Sequence, residues 1–435
     1  MKLYKNLILV FFISIFGCSG GGGDDSPLAE TKDTTSPSVP SNLFGTSTST
    51  TSIDLNWTAS SDNVGVKNYS IYQDNDELVT TSSITHTVSG LLANTAYAFK
   101  VKARDAAGNE SDFSNSINVK TDDNTAILVR TSGNLETYLG NFIDGVPGSS
   151  GDDYTIPSSV QLAIWNDIVD AVLAENIDEA VLKSSDVNYQ INEFTDTSLS
   201  PNQVFYILEE KNNKSNNWGI YVFSKTPTIS NLILQAPHIK NDINTGKQAV
   251  YCFRNNVARA VFISGTHRCN NSELSSCSGT TSTCNSGSEA YRVSDLAHNT
   301  NSVFQKTTEN VFNAVSNSVF IQLHGFGKQT SDPYVILSNG TRETPTTDYA
   351  TLLKDALLIE DNTLTFKLAH IDTGWTRLIG FTNTQGRLIN NSTNHCSESA
   401  TTTSGRFIHV EQEKSKLRDD ASGWMKMSNA LGSIF

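Results

Sequence analysis

Two histidines stand directly after buried, strand-like runs, and a carboxylate closely follows one of them. His238 comes after residues 232–237, and His324 comes after residues 319–323. Because the carboxyl ends of parallel strands meet at one edge of a sheet, we expect these imidazoles to lie close together. Asp242 lies four residues beyond His238, in the loop before the next helical stretch. Two imidazoles and a carboxylate with an open fourth position are the ligand set of hydrolytic zinc, so we predict one Zn2+ site.

Further polar residues surround this predicted metal site in the sequence. Arg268 ends the strand-like run 260–264, where its guanidinium is suited to binding a substrate carboxylate bidentately, and Arg387 is a second candidate for this role. Ordinary salt bridging is the alternative for both arginines. His370, at another strand end, is the substitute ligand if Asp242 does not bind metal. Asp295 either caps a helix or, with the nearby His298, orients a metal ligand.

The elements that must position these residues alternate between strand-like and helical patterns from residue 126 to residue 435. Several apolar runs are unbroken, which is typical of strands covered on both faces. We therefore predict an α/β domain with a mostly parallel mixed sheet covered by helices on both faces. The strand-like runs are 204–208, 218–223, 232–236, 260–264, 319–323, 334–337, 365–369 and 406–410, and the helical stretches are 158–183, 246–255, 302–315, 348–358 and 415–431.

The metal-site motifs resemble a known enzyme family. Residues 238–245, followed by a helix, and the later residues 323–325 resemble the zinc amidohydrolases of the carboxypeptidase-like fold. The closest in pattern are the poly-γ-glutamate hydrolases and N-formylglutamate amidohydrolases, although Asp242 stands where they carry Glu and one intervening residue is missing. The resemblance implies a carboxylate base at a late strand end, and Glu411 meets this description. A surface glutamate is the alternative for Glu411.

Residues 37–121 contain short alternating runs separated by turn signals, which is the pattern of a β-sandwich. The segments 53–57, 69–72, 92–97 and 103–109 resemble a fibronectin type III domain. The resemblance implies that Trp57 is the buried core tryptophan and that Tyr97 is the tyrosine-corner residue. We expect this module to act as a spacer, with glycan or protein binding as the alternative.

The N-terminus has the pattern of an export signal. Lys2 and Lys5 precede the apolar run 7–16, which is too short to span a bilayer. Residues 15–18 resemble the lipobox of bacterial lipoproteins, which implies that residues 1–17 are removed and that Cys18 carries a lipid. A flexible tether then extends over residues 18–36. We predict a protein anchored to the outer membrane or cell surface through this lipid.

Composition limits the remaining possibilities. The 435 residues, 37% of them apolar, exceed one ordinary domain. The balance of 31 basic against 45 acidic residues, a net charge of −14, excludes nucleic acid as a partner, and we expect a monomer. Five cysteines follow Cys18, and export favours disulfides. Several pairings are open, and we predict Cys277 with Cys284 and Cys269 with Cys396, which leaves Cys252 as a buried thiol.

Together these features predict a lipid-anchored, extracytoplasmic, zinc-dependent hydrolase of an amide bond. The substrate expected from the resemblance is a small peptide or N-acyl amino acid with a glutamyl-type carboxylate. Two alternatives stay open. One is a catalytically inactive surface lipoprotein that captures a glycan or peptide, and the replacement of Glu by Asp242 favours it. The other is a de-N-acylase of envelope sugars.

Overall fold

A computed structural model describes residues 32–123, 126–211 and 216–435 of the chain. The predicted signal peptide, the predicted lipid anchor Cys18 and most of the predicted tether lie outside the described residues. The chain divides into two compact units: the first consists of most residues up to Thr121, and the second consists of Asp122–Phe435 together with the short segments Ser49–Thr51 and Leu92–Asn94. Within the described ranges, no helix is both long and apolar enough to cross a membrane.

The first unit is a β-sandwich of seven described strands. One sheet has the order β1-β2-β5 and the other has the order β4-β3-β6-β7. Alternate residues of the strands point inward, so Leu55, Trp57, Ile71 and Phe99 form a buried core between the sheets. The strands are β1 (Ser41–Ser47), β2 (Ser52–Thr58), β3 (Val66–Gln73), β4 (Asp76–Thr81), β5 (Thr85–Ser89), β6 (Ala96–Asp105) and β7 (Ile117–Lys120).

The second unit is built on a ten-stranded mixed sheet with the order β18-β17-β19-β16-β12-β13-β11-β10-β9-β8. Strands β13, β12, β16 and β19 run parallel to one another at its centre. The strands are β8 (Val129–Gly133), β9 (Tyr189–Asp196), β10 (Gln203–Glu210), β11 (Ile220–Ser224), β12 (Ile229–Ala236), β13 (Ala258–Ile263), β16 (Val319–Phe326), β17 (Val335–Ser338), β18 (Phe366–Leu368) and β19 (Phe407–Glu413), and a separate ribbon pairs β14 (Thr280–Thr281) with β15 (Glu289–Ala290).

Helices pack on both faces of this sheet and bury its apolar side chains in two clusters. Leu234 contributes to one cluster and its neighbour Ile233 to the other, because successive residues of a strand point to opposite faces. The first face carries α1 (Leu135–Asp144), α4 (Thr245–Asn256), α6 (Tyr349–Glu360) and α9 (Ala421–Ile434), and the second carries α2 (Ser159–Leu173), α3 (Ile177–Ser184) and α5 (Val303–Ala314). Two short helices, α7 (Thr384–Ile389) and α8 (Lys414–Leu417), flank β19 in the chain.

The disulfides differ from the predicted pairing. Cys269 is bonded to Cys284 and Cys277 to Cys396, so the predicted pairs are wrong. The pairing of β14 with β15 and a hydrogen bond of 2.9 Å from the Ser278 amide to the Cys396 carbonyl decide which cysteines meet. Neither contact is visible in cysteine spacing. Cys252 is a buried free thiol, as predicted.

We expect replacement of both Cys277 and Cys396 by serine to lower the free energy of unfolding by about 2–5 kcal/mol, because the bridge closes a long loop in the unfolded chain. Urea unfolding measures the loss. The matched control replaces Cys269 and Cys284, which are separated by 15 residues instead of 119, and should cost less. An equal or larger loss in the control would contradict the loop-length account.

Candidate active site

Three side chains converge where the central parallel strands β12 and β16 end. His238 follows β12 after one intervening proline, His324 lies near the end of β16, and Asp242 lies in the loop between β12 and α4. The two Nδ1 atoms are 3.1 Å apart, and Asp242 Oδ2 lies 3.3 Å from Nδ1 of His324 and 3.5 Å from Nδ1 of His238. All three residues are almost fully buried. The structure therefore brings the three predicted ligands together.

The hydrogen bonds of the two rings decide which atoms face the convergence point. Nε2 of His238 lies 2.8 Å from Asp295 Oδ1, and Nε2 of His324 lies 2.8 Å from Gln322 Oε1. Each contact requires a proton on Nε2, so a neutral ring directs the lone pair of Nδ1 at the other ring. Two lone pairs and the Asp242 carboxylate repel each other unless positive charge lies between them. A metal ion or a proton on His238 supplies that charge.

The spacing of the three atoms fits a zinc ion. Tetrahedral zinc with bonds of about 2.0–2.1 Å holds its ligand atoms about 3.4 Å from one another. The observed separations of 3.1, 3.3 and 3.5 Å surround this value. A second possible ligand group joins His238, Asp295 and His298. In that group, Nε2 of His238 and Nδ1 of His298 each lie 2.8 Å from Asp295 Oδ1. These hydrogen bonds account for the geometry of the group without an ion.

Asp295 is the residue that orients His238. Its Oδ1 receives the hydrogen bond from His238, and its Oδ2 accepts from Nε of Arg268 at 2.9 Å. Burial raises the pKa of Asp295, but Arg268 and the two histidines outweigh it and hold the pKa well below its usual range. The carboxylate is therefore ionised. The helix-cap alternative for Asp295 is wrong, because α5 begins at Val303 and is capped by Ser302.

The electrostatics of the cluster favour a charged Asp242 beside a neutral His324. Burial raises the pKa of Asp242, but hydrogen bonds with His238 and His324 hold it well below its usual range. Burial, assisted by the neighbouring His409, lowers the pKa of His324 well below its usual value. Burial and the charge of Arg268 lower the pKa of His238, but the carboxylates Asp295 and Asp242 outweigh them, so the pKa lies above its usual value. The cluster thus offers the Asp242 carboxylate and the neutral His324 as ligands, and His238 becomes the third ligand when a metal ion replaces its proton.

Glu411 lies beside this cluster on the neighbouring strand. It pairs with His324 in the parallel register of β16 and β19, strands that lie about 4.8 Å apart. Its Oε1 is 3.2 Å from Nε2 of His409, while its buried Oε2 has no hydrogen-bond partner among the described residues. The His324 and His409 ring centroids are 4.3 Å apart. A buried carboxylate oxygen without a partner is free to accept a proton from a bound molecule.

Arg418 is a site residue that the sequence patterns did not indicate. This buried side chain donates to three backbone carbonyls, those of Gln412 at 3.1 Å, Ile243 at 2.5 Å and Phe326 at 3.4 Å. Each carbonyl lies within two residues of a cluster member or of Glu411. Arg418 therefore ties together the three chain segments that carry the candidate site.

The remaining predicted site residues have structural partners. Arg268 is held by Asp295, and Arg387 donates to the carbonyls of Phe381 at 3.1 Å and Cys396 at 2.7 Å. Substrate binding by either arginine stays a prediction. His370 lies 2.9 Å from Asp348, the N-cap residue of α6, and belongs to none of the ligand groups among the described residues.

Comparison with known proteins identifies the first unit. Residues 38–120 match the family model "Fibronectin type III domain", which confirms the predicted module. Chitinase A1 of Niallia circulans is 45% identical over 117 residues, 25% of this chain and 17% of that protein. Chitinase Chi52 of Paenibacillus xylanexedens is 48% identical over 101 residues, 23% of this chain and 19% of that protein. The chain thus spans less than a fifth of the length of these relatives.

Among solved structures, chitinase ChiA74 from Bacillus thuringiensis is 42% identical, with 22% of this chain and 15% of that chain covered and a TM-score of 0.20. The curated relatives include chitinases, an alpha-amylase of Niallia circulans and exoglucanase A of Cellulomonas fimi, which contradicts the predicted hydrolysis of an amide bond in a glutamyl-type substrate. That prediction is wrong, and the amidohydrolase resemblance is not supported. The short motifs that carry the resemblance predict only that two histidines and a carboxylate meet at strand ends. This geometry does not specify which bond is cleaved.

We expect Gly325→Ala to disturb the hydrogen bonds of Arg418, because a Cβ at this position would clash with Cζ of the Arg418 guanidinium group. Overpacking of this kind costs about 1–3 kcal/mol, which urea unfolding resolves. Gly327→Ala is the matched control on the same segment, since its Cβ meets no atom within 4 Å. Equal stability of the two variants would contradict the proposed role of Arg418.

Proposed function

We propose that this protein is a hydrolase of a glycan and that it cleaves glycosidic bonds of a chitin-type polymer. The observation that supports this proposal most directly is the 45–48% identity to segments of two chitinases. In both relatives the matching segment is a minor part of a much longer chain. A fibronectin type III module with this level of identity to modules of chitinases is consistent with action on the same class of insoluble polymer, chitin.

Catalysis would take place in the α/β unit, at the sheet edge where β12, β16 and β19 end. His238, Asp242 and His324 would hold a zinc ion, whose chemistry is to lower the pKa of water that binds it. Glu411 would accept a proton from the attacking water through its unpartnered Oε2. The hydroxyl would join the sugar carbon, and the glycosidic oxygen would leave with a proton from a second water molecule, while Glu411 would return its proton to solvent, so that one water is consumed overall.

A second candidate is a protein that binds the glycan without cleaving it. The near-complete burial of His238, Asp242 and His324 favours this candidate, because a substrate must approach side chains that are only 1–3% exposed. In that case a proton on His238 rather than a metal ion balances the charge, and the cluster only stabilises the sheet edge. The two candidates differ in the products that they release from the polymer.

Release of reducing ends from colloidal chitin tests the proposed hydrolysis. We expect activity from the full-length protein and a loss of about 100-fold or more in Glu411→Gln, because general acid–base groups contribute about 10²–10⁴-fold. Glu413→Gln, two residues along the same strand, is the matched control and should retain activity. Polymer binding without any release of reducing ends would instead support the second candidate.

Zinc content tests the metal assignment independently of activity. We expect one equivalent of zinc per chain by elemental analysis after dialysis, and a clear loss in the His238→Ala and His324→Ala variants. His370→Ala is the matched control, because His370 lies outside the cluster. A metal-free protein whose melting temperature is unchanged by added zinc would contradict the assignment.

We also propose that a lipid on Cys18 anchors the protein to the outer membrane or cell surface, where an insoluble polymer is accessible. The lipobox-like residues 15–18 support this location. Phase separation in a cloud-point detergent tests it, and we expect the full-length protein in the detergent phase and Cys18→Ala in the aqueous phase. Identical partitioning of the two proteins would contradict lipid anchoring.

A further inference from the structure

A cavity of about 310 Å³ lies at the C-terminal end of α1, and we call it the side cavity. Its walls include Tyr138 and Phe142 of α1, Gln190 of β9, Glu209 of β10 and Gly265, which follows β13. This volume is at the small end of the range for small-molecule sites, which is about 300–1,000 Å³. The side cavity therefore suits one small unit better than a long polymer segment.

The side cavity adjoins the loop that carries the metal-site residues. The amide of Ser264, next to Gly265 in the cavity wall, donates to the carbonyl of Ala236 at 3.1 Å, two residues before His238. On the other side, Nζ of Lys240 donates to the carbonyl of Asp144 at 2.9 Å, at the end of α1. The loop from β12 to α4 is thus fixed to both walls. A molecule in the side cavity would lie beside the proposed catalytic edge.

Hydrogen bonds between side chains of the lining fix the position of the Glu209 carboxylate in the side cavity. Glu209 accepts from the hydroxyl of Tyr138 at 2.7 Å and from Nε2 of Gln190 at 3.0 Å. Burial and the Glu209 carboxylate raise the pKa of Tyr138, so this hydroxyl keeps its proton and remains a donor. Nδ2 of Asn192 also donates to Glu209, at 3.4 Å, so about one of the roughly four acceptor positions of an ionised carboxylate is left for a hydroxyl group of a ligand. The aromatic rings provide apolar surface next to these groups.

The negative charge of the cavity lining disfavours anionic ligands. The lining includes two carboxylates, Glu209 and Glu210, and none of its described residues is basic. Glu210 is occupied by the backbone amides of Trp218 at 2.7 Å and Asn216 at 3.2 Å. A phosphate, sulfate or carboxylate ligand would meet this charge without a counter-ion. A neutral ligand that has many hydroxyl groups and one apolar face avoids that repulsion.

We propose that the side cavity is a binding subsite for one neutral sugar unit, packed against the rings of Tyr138 and Phe142 and hydrogen-bonded to Glu209. The inference rests on the proposed function, because the sugar would belong to the glycan that is cleaved at the neighbouring edge. It adds a substrate-positioning site about which neither the family match nor the relatives give information.

Calorimetric titration with chito-oligosaccharides tests the subsite in the full-length Glu411→Gln background, in which we expect turnover to be at least about 100-fold slower. We expect Phe142→Ala to raise the Kd about tenfold or more, and Tyr138→Phe to raise it less. Tyr251→Phe is the matched control, because Tyr251 is half-buried on α4 and does not line the side cavity. Unchanged affinity in both cavity variants, or the absence of binding, would overturn the proposal.

Comparison of N-acetylglucosamine with glucosamine tests the charge argument. We expect the neutral sugar to bind at least as tightly as the cationic one, and Glu209→Gln to weaken both by a similar factor. Tighter binding of glucosamine that disappears in Glu209→Gln would show a cation site and overturn the neutral-sugar assignment.

Reducing-end release separates this inference from the proposed function. Hydrolysis with normal KM in Phe142→Ala would overturn the subsite and leave the function intact. Sugar binding that is lost in Phe142→Ala, in a protein that never cleaves chitin, would support the subsite and overturn the function.

Discussion

The candidate site depends on the mutual repulsion of three buried atoms, Nδ1 of His238, Nδ1 of His324 and Oδ2 of Asp242. Each ring is fixed through its other nitrogen, so neither can turn its lone pair away from the convergence point. Positive charge must therefore lie among the three atoms. The separations of 3.1–3.5 Å leave room for an ion with bonds of about 2 Å. The surrounding network is arranged to hold this geometry.

Two buried arrangements maintain the convergence. On the α5 face, Nε2 of Gln322 donates to Gln235 at 2.9 Å and to Gln385 of α7 at 3.1 Å, so the Gln322 amide that orients His324 cannot rotate freely. On the opposite side, Arg418 binds the backbone of three segments that meet at the sheet edge. The site is thus positioned by side-chain amides and one guanidinium, in addition to the parallel strands themselves.

The sequence predicted the elements of the second unit better than their interactions. The unbroken apolar runs correspond to β10–β13 and β16–β19, and the predicted stretch 158–183 is the pair α2 and α3. Strands β8 and β9 were missed because they carry many polar residues, and α7 because it is only six residues long. His238, Asp242 and His324 were found because strand ends coincide in a parallel sheet. Arg418 binds only backbone carbonyls, which leave no trace in side-chain patterns.

The two units give different kinds of information about function. The fibronectin type III module is similar to segments of chitinases, whereas the α/β unit provides the buried cluster and the adjoining side cavity. Product analysis of colloidal chitin after incubation with the full-length protein and with His324→Ala tests the central claim that this cluster cleaves a glycan. We expect soluble oligosaccharides from the native protein alone. Their absence from the zinc-supplemented native protein, or their equal release by both proteins, would contradict it.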